Sequence, residues 1–212
     1  MASPRWKKEL EALEAEIQKE YPDLRLVETN GELVFKGSFP IRHEGEDLDR
    51  FLIEISFPDG PARLPVVHEI GGRIPRISDR HVNERTGDLC VDVPELIQLR
   101  GENTLLRFLN GPVRNFLISQ HLVEKGDPWP FGQWEHGKPG LIQAYGEILG
   151  FREEPQIRRF LDLLSHKKIK AHWPCPCGSG RPIRSCHDAE IRALQILIST
   201  RVARDALRRL SS

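Results

Sequence analysis

Apolar positions recur along this chain in two rhythms, and the change of rhythm organises it. Trp6, Leu10, Leu13 and Ile17 fall at helical spacing, with lysines and glutamates between them. Ser3 and Pro4 supply an N-cap and a first-turn proline, and Pro22 stops the helix. The period then shortens. Leu24 to Glu28 and Leu33 to Phe35 are short apolar runs joined through Asn30-Gly31, the pair favoured in two-residue hairpins. Gly37 to Ile41 leads away, and Ile41 to Asp49 reads as a charged loop. Phe51, Ile53, Ile55 and Phe57 alternate with Leu52, Glu54 and Ser56, as in a half-buried strand. Pro58, Pro61 and Pro65 fix an extended linker, and Val66 to Ile70 predicts a fourth strand.

From Gly71 to Arg100 neither period holds, and a stretch of that length in a compact domain is usually functional. Helical spacing then returns. Asn103 caps a helix carrying Leu105, Leu106, Phe108 and Leu109, interrupted near Gly111-Pro112 and resumed from Val113 to Leu122. A turn-rich segment, Gly126 to Gly140, holds Trp129, Phe131 and Trp134. Gly140 to Gly150, Pro155 to Ile169 and Asp188 to Leu210 predict three more helices, the last with Ile191, Leu194, Ile198 and Val202 on one face. The expected class is α+β: a helix, a four-stranded antiparallel meander, a functional loop, then helices. The expected divisions are a main domain over 1–150, a helical linker over 151–170, and a small unit with a terminal helix over 171–212.

Composition narrows the partners. The 31 basic and 31 acidic residues cancel, so no global basic field points to nucleic acid or a membrane surface. No apolar run approaches the roughly 18 residues needed to span a bilayer, and the charged N-terminal stretch lacks a secretory apolar core. The expected location is the cytoplasm.

The four cysteines carry the candidate chemistry. Cys175, Cys177 and Cys186 cluster with His187. Three soft thiolates and an imidazole are the donor set of a closed tetrahedral zinc site, structural rather than catalytic. Gly178 and Gly180 allow the tight turn between the ligand pairs. Cys90 is left over, in the polar, turn-rich stretch Arg80 to Pro94, seven residues after Asn83 and nine after His81. An isolated cysteine is more often inert packing, but this one sits in a loop rich in turn-formers.

The order of elements and these residues resemble the catalytic fold of ubiquitin-conjugating enzymes over roughly residues 4 to 150. Phe57-Pro58 with Pro61 and Pro65 is similar to that family's linker after the third strand. His81-Val82-Asn83 resembles its His-Pro-Asn motif, with Val82 in place of the proline. Gly87 to Asp92 resembles the segment around its active cysteine. Pro128 to Gly137 is similar to the tail of bacterial homologues found in antiphage defence operons built around a cGAS-like nucleotidyltransferase. The resemblance implies that Cys90 accepts a protein C-terminus as a thioester and passes it to a target amine. Asn83 would donate to the oxyanion of the tetrahedral intermediate. Asp92 would orient or deprotonate the amine, His81 would brace the loop, and His136 could approach the site. Asp88 and Asp92 flank the thiol and oppose thiolate formation, which argues against a papain-like hydrolase. No Gly-rich nucleotide loop is present, so a separate adenylating activating enzyme is implied. The modifier would be a ubiquitin-like protein or the nucleotidyltransferase C-terminus.

Cys-x-Cys-x8-Cys-His, over Cys175 to His187, resembles the SEC-C motif, the zinc knuckle at the end of the SecA translocase and of many other bacterial proteins. The resemblance implies a docking module; a staple for the last helix is the simpler role. Two readings other than catalysis stand beside it. One is a non-catalytic adaptor on the same fold with a zinc docking module. The other is a nucleic-acid binder, since Arg181, Arg184 and Lys167 to Lys170 make the knuckle locally basic.

Overall fold

A computed structural model shows what the two rhythms build. It describes residues 4–58, 60, 64–93, 97, 104–130, 135 and 137–211. The chain forms two compact units, 1–132 and 133–212. The class is α+β, with one four-stranded antiparallel sheet in the first unit. Among the described residues, no helix is long and apolar enough to cross a membrane.

In the first unit, helix α1 (Pro4–Ile17) precedes strands β1 (Arg25–Thr29), β2 (Glu32–His43), β3 (Glu46–Ser56) and β4 (Val66–Glu69), which pair in chain order. Asn30 and Gly31 turn between β1 and β2 with positive φ angles of 52° and 81°, as the hairpin signal predicts. The second hairpin is a correction. The charged segment after Ile41 is not a loop. β2 and β3 remain paired to His43 and Glu46, and Glu44-Gly45 makes the turn at φ 50° and 88°. Its arms are solvent-facing, so charge conceals the strand. On the inner face Phe39 lies opposite Phe51, and Phe35 opposite Ile55. All four are buried in a core that also takes Leu10 and Ile17 from α1. Gly37 in β2 leaves room for the chain beside it: a Cβ there would fall 1.9 Å from the Asp23 carbonyl oxygen. The Glu14 carboxylate on α1 accepts from the Leu26 N–H at 2.9 Å, satisfying a donor on the edge strand.

Two helical segments close the core. Helix α2 (Leu105–Phe108) starts where the Thr104 hydroxyl accepts from the Arg107 N–H at 3.4 Å; Asn103, the expected cap, lies outside the described residues. The interruption expected at Gly111-Pro112 is a π-turn over Leu109–Val113, running without a break into α3 (Arg114–Glu124). The wider turn accommodates a proline that cannot donate.

In the second unit, α4 (Gly137–Leu149) and α5 (Glu154–Leu164) precede the cysteine cluster, and α6 (Asp188–Leu197) and α7 (Thr200–Ser211) follow it. The sequence division at 150 separates α4 from this unit, yet Leu141, Tyr145 and Leu149 of α4 share a core with Phe160 of α5 and with Ala203 and Leu210 of α7. The single terminal helix expected from Asp188 to Leu210 is two. Ile198 is extended at φ −109° and ψ 103°, and the Ser199 hydroxyl accepts from the Val202 N–H at 3.3 Å, capping a new start. Serine's capping preference outweighs continuation of the apolar stripe.

Candidate functional site

Each unit carries one candidate site. In the first, Cys90 ends a tight excursion that starts at a short 3-10 turn, Ser78–Arg80. His81 follows in the left-handed region at φ 51°, which reverses the chain. Val82 and Leu89 then bridge each other, both buried. Leu89 also donates its N–H to the Val67 carbonyl at 2.8 Å, tying the excursion to β4. Because neighbouring side chains of an extended segment alternate, a buried Leu89 puts Cys90 on the outside, where it is exposed. The Cys90 N–H donates to the His81 carbonyl at 2.9 Å.

Asn83 closes the turn between them. Its Oδ1 accepts from the backbone of Arg85 at 3.0 Å and of Thr86 at 3.2 Å. Its own N–H donates to the Asp88 carbonyl at 2.9 Å, and its carbonyl accepts from Gly87 at 2.7 Å. The amide oxygen is thus committed to the loop, leaving the side-chain NH₂ as the group that can donate outward. Gly87 has φ 82°, and a Cβ there would press on the Arg76 guanidinium at 3.0 Å. The His81 ring lies 4.7 Å from the ring of Trp129, which packs edge-on against Phe116 of α3. Asp92 accepts from the Val93 N–H at 2.7 Å. His136 lies outside the described residues.

Two further groups hold this loop, with a charge network beside them, and none of these residues is among the sequence candidates. His68 of β4 bridges Asp88 through the backbone and sets its Nε2 2.9 Å from the Asp88 carboxylate. Gln120 of α3, wholly buried, accepts from the Arg80 guanidinium at 2.7 Å and donates to the Arg80 carbonyl at 2.7 Å. Next to it on α3, His121 contacts Asp49 at 2.6 Å, and Asp49 also pairs with Arg73. Arg73 continues to Glu124 at 2.6 Å and stacks over Phe51 at 4.3 Å. The signal was present: Ser119, Gln120 and His121 are consecutive polar residues inside an apolar helical pattern, and all are buried.

The electrostatics run against an activated thiolate. Burial of the surrounding surface, then the Asp88 charge, pushes the Cys90 thiol above its ordinary value. The sulfur is reachable but predominantly protonated at neutral pH.

In the second unit, the ligand atoms of Cys175, Cys177, Cys186 and His187 all lie within 4.8 Å of one another. His187 Nδ1 is 3.2 Å from Cys175 Sγ and 3.2 Å from Cys186 Sγ, and Cys177 Sγ is 3.6 Å from Cys186 Sγ. A tetrahedral ion bound at about 2.3 Å from sulfur needs sulfur–sulfur edges of about 3.8 Å. The cluster fits such an ion. A bridge between Pro174 and Pro182 and the 2.8 Å bond from Cys175 N–H to the Arg181 carbonyl fold the first ligand pair back on the second. Buried Ile183 anchors the 3-10 turn that presents Cys186. The Ser179 hydroxyl, 3.2 Å from Cys177 Sγ, pulls that thiol down to about 6, while burial pushes Cys175 up to about 11. Arg181 donates to Cys186 Sγ at 3.4 Å. A cation and a hydroxyl on the sulfurs suit bound thiolates.

Comparison with known proteins identifies no relative: no family model, no curated protein and no solved structure matches the chain.

Proposed function

We propose that the protein is a ubiquitin-conjugating-like acyl carrier, with a conjugating-enzyme type of fold in its first unit. The observation that carries the reading is an exposed thiol held at the end of a turn that Asn83 closes, with the neighbouring Leu89 buried as its anchor. In the first step the Cys90 sulfur attacks the carbonyl carbon of a donor thioester. The new C–S bond forms, the donor C–S bond breaks, and the proton of Cys90 passes to the departing thiol. In the second step a target amine attacks that carbon, the C–S bond breaks, and Cys90 leaves as the thiol with the amine's proton. A thiol suits both steps, since sulfur is a good nucleophile and a thioester stays open to amines. Asn83 donates its side-chain N–H to the oxyanion of each tetrahedral intermediate. Asp92 orients or takes the proton of the amine. His81, packed against Trp129, holds the carbonyl that fixes Cys90. An unactivated resting thiol suits a carrier that must survive in a cell until its donor arrives.

The donor is an activated protein C-terminus supplied by a separate adenylating enzyme. In a bacterial antiphage operon that C-terminus belongs to a cGAS-like nucleotidyltransferase or a ubiquitin-like modifier. In the second unit the three thiolates and imidazole hold structural zinc, with no position open for substrate.

The raised thiol is equally compatible with a second reading, a non-catalytic adaptor on the same scaffold. Non-reducing gels of protein expressed in its own host separate the two. The carrier gives a slower band that reductant removes, absent from Cys90→Ala and resistant to reductant in Cys90→Ser. Identical bands for wild type and Cys90→Ala would leave the adaptor.

A further inference from the structure

The neutral chain hides a division of charge. Residues 133–212 hold fourteen lysines and arginines against eight aspartates and glutamates, a net of +6, and residues 1–132 carry the compensating −6. Within the basic unit, a groove of about 500 Å³ runs between α5, α7 and the chain entering the cysteine cluster. Its wall is mainly apolar, with Leu163 from α5, Leu207 from α7 and the half-buried Trp173. The His166 ring stands edge-on to Trp173 at 5.3 Å.

Cations lie beside this opening, in its wall or next to it along the chain. Arg159 lines it, is exposed, and has no ion-pair partner among the described residues. Lys167 and Lys168 follow His166 directly and are likewise exposed and unpaired among the described residues. Arg204 donates to the Ser165 carbonyl at 2.9 Å, which puts a fourth cation beside the same turn. Arg158, by contrast, is spent on Glu154 at 2.7 Å and on the end of α7. Arg192, also exposed in this unit, is likewise paired with Asp188 at 2.8 Å. A set without carboxylate partners among the described residues, gathered beside an apolar slot, complements an acidic ligand with an apolar anchor.

We infer that this groove docks an acidic peptide segment of a partner protein, one large aliphatic side chain entering between Leu163, Leu207 and Trp173, and flanking carboxylates meeting Arg159, Lys167, Lys168 and Arg204. A peptide fits better than a nucleic-acid strand because the groove is a short apolar slot rather than a continuous basic track. The inference is independent of Cys90, and its test reads binding alone.

The probe is a fluorescein-labelled peptide of glutamates around one central leucine, titrated with the zinc-replete full chain and followed by anisotropy. Saturable binding that weakens with salt is expected, with loss of about tenfold in affinity for Arg159→Glu and for Lys167→Glu, and no change for Arg192→Glu. Replacing the central leucine by serine weakens binding by a similar factor. These cations are exposed, so the variants keep the fold, which circular dichroism checks. Absence of saturation, equal affinity for wild type and Arg159→Glu, or equal affinity of the leucine and serine peptides overturns the proposal. Displacement of the peptide by a tighter-binding oligothymidylate would assign the surface to nucleic acid instead, and overturns it too.

Discussion

Gln120→Ala removes the clamp between α3 and the start of the Cys90 excursion without touching the thiol. Two hydrogen bonds of 2.7 Å are lost, one to the Arg80 guanidinium and one to its carbonyl. Gln120 has no accessible surface, so water cannot replace the amide without opening the core. A buried polar group left unpaired costs about 1–3 kcal/mol, and a bond to a charged group is at the upper end of that range. Two such losses, less what Arg80 retains through Glu124 at 3.9 Å, amount to about 3–5 kcal/mol. For a domain stable by about 5–15 kcal/mol this is a large fraction. The effect is also local, because Arg80 ends the 3-10 turn and the next residue, His81, accepts from the Cys90 N–H. Urea unfolding measures the first effect. Hydrogen exchange of the His81 and Cys90 amides, with the rate of Cys90 alkylation, measures the second. Both amides exchange faster and alkylation changes rate in the variant. A urea midpoint matching wild type, with unaltered exchange at Cys90, would refute the clamp.

The alkylation rate of Cys90 rises with pH to a midpoint above the ordinary cysteine value, and Asp88→Asn lowers that midpoint, because burial and the Asp88 charge both disfavour the thiolate; a midpoint unaffected by Asp88→Asn would show that its charge plays no part. Tyr21, hydrogen-bonded to Asn110, is pushed up to about 12 by burial. Its neutral form is favoured in the folded state, so the stabilisation is complete below the unfolded value near 10 and lost as pH rises towards 12, about 3 kcal/mol in all. Stability of wild type against pH shows that loss and Tyr21→Phe does not; parallel curves would contradict it. Native mass spectrometry should find one zinc per chain, lost in Cys177→Ala. Chelation should melt the Cys175 to His187 segment, since small knuckles depend on the ion for folding. A metal-free chain with unchanged hydrogen exchange there would count against a zinc staple.

The amphipathic α1, the Asn30-Gly31 hairpin and the alternation of β3 were legible because local pattern and final burial coincide there. The four metal-type ligands were legible because they lie within thirteen consecutive residues, so spacing alone predicts their approach. The second hairpin was not, because Arg42 to Asp47 face solvent on both arms and hide the pairing. Nor was the break at Ile198, where a capping serine interrupts an otherwise continuous stripe. Around Cys90 the sequence points to the thiol and to Asn83, which are close along the chain. His68 and Gln120 come from a strand and a helix remote in sequence, and only tertiary packing brings them to the loop.

The carrier reading stands or falls on how fast an acyl group leaves Cys90 for an amine. The full chain can be loaded from a synthetic peptide thioester, freed of excess donor, and mixed with lysine while intact mass follows the adduct. Loading alone proves little, since any accessible thiol exchanges. Folded wild type should deliver its acyl group to lysine faster than the same adduct on the denatured chain, and Asn83→Ala should be slower by about 10²-fold. Equal rates for the folded chain, the denatured chain and Asn83→Ala would contradict it.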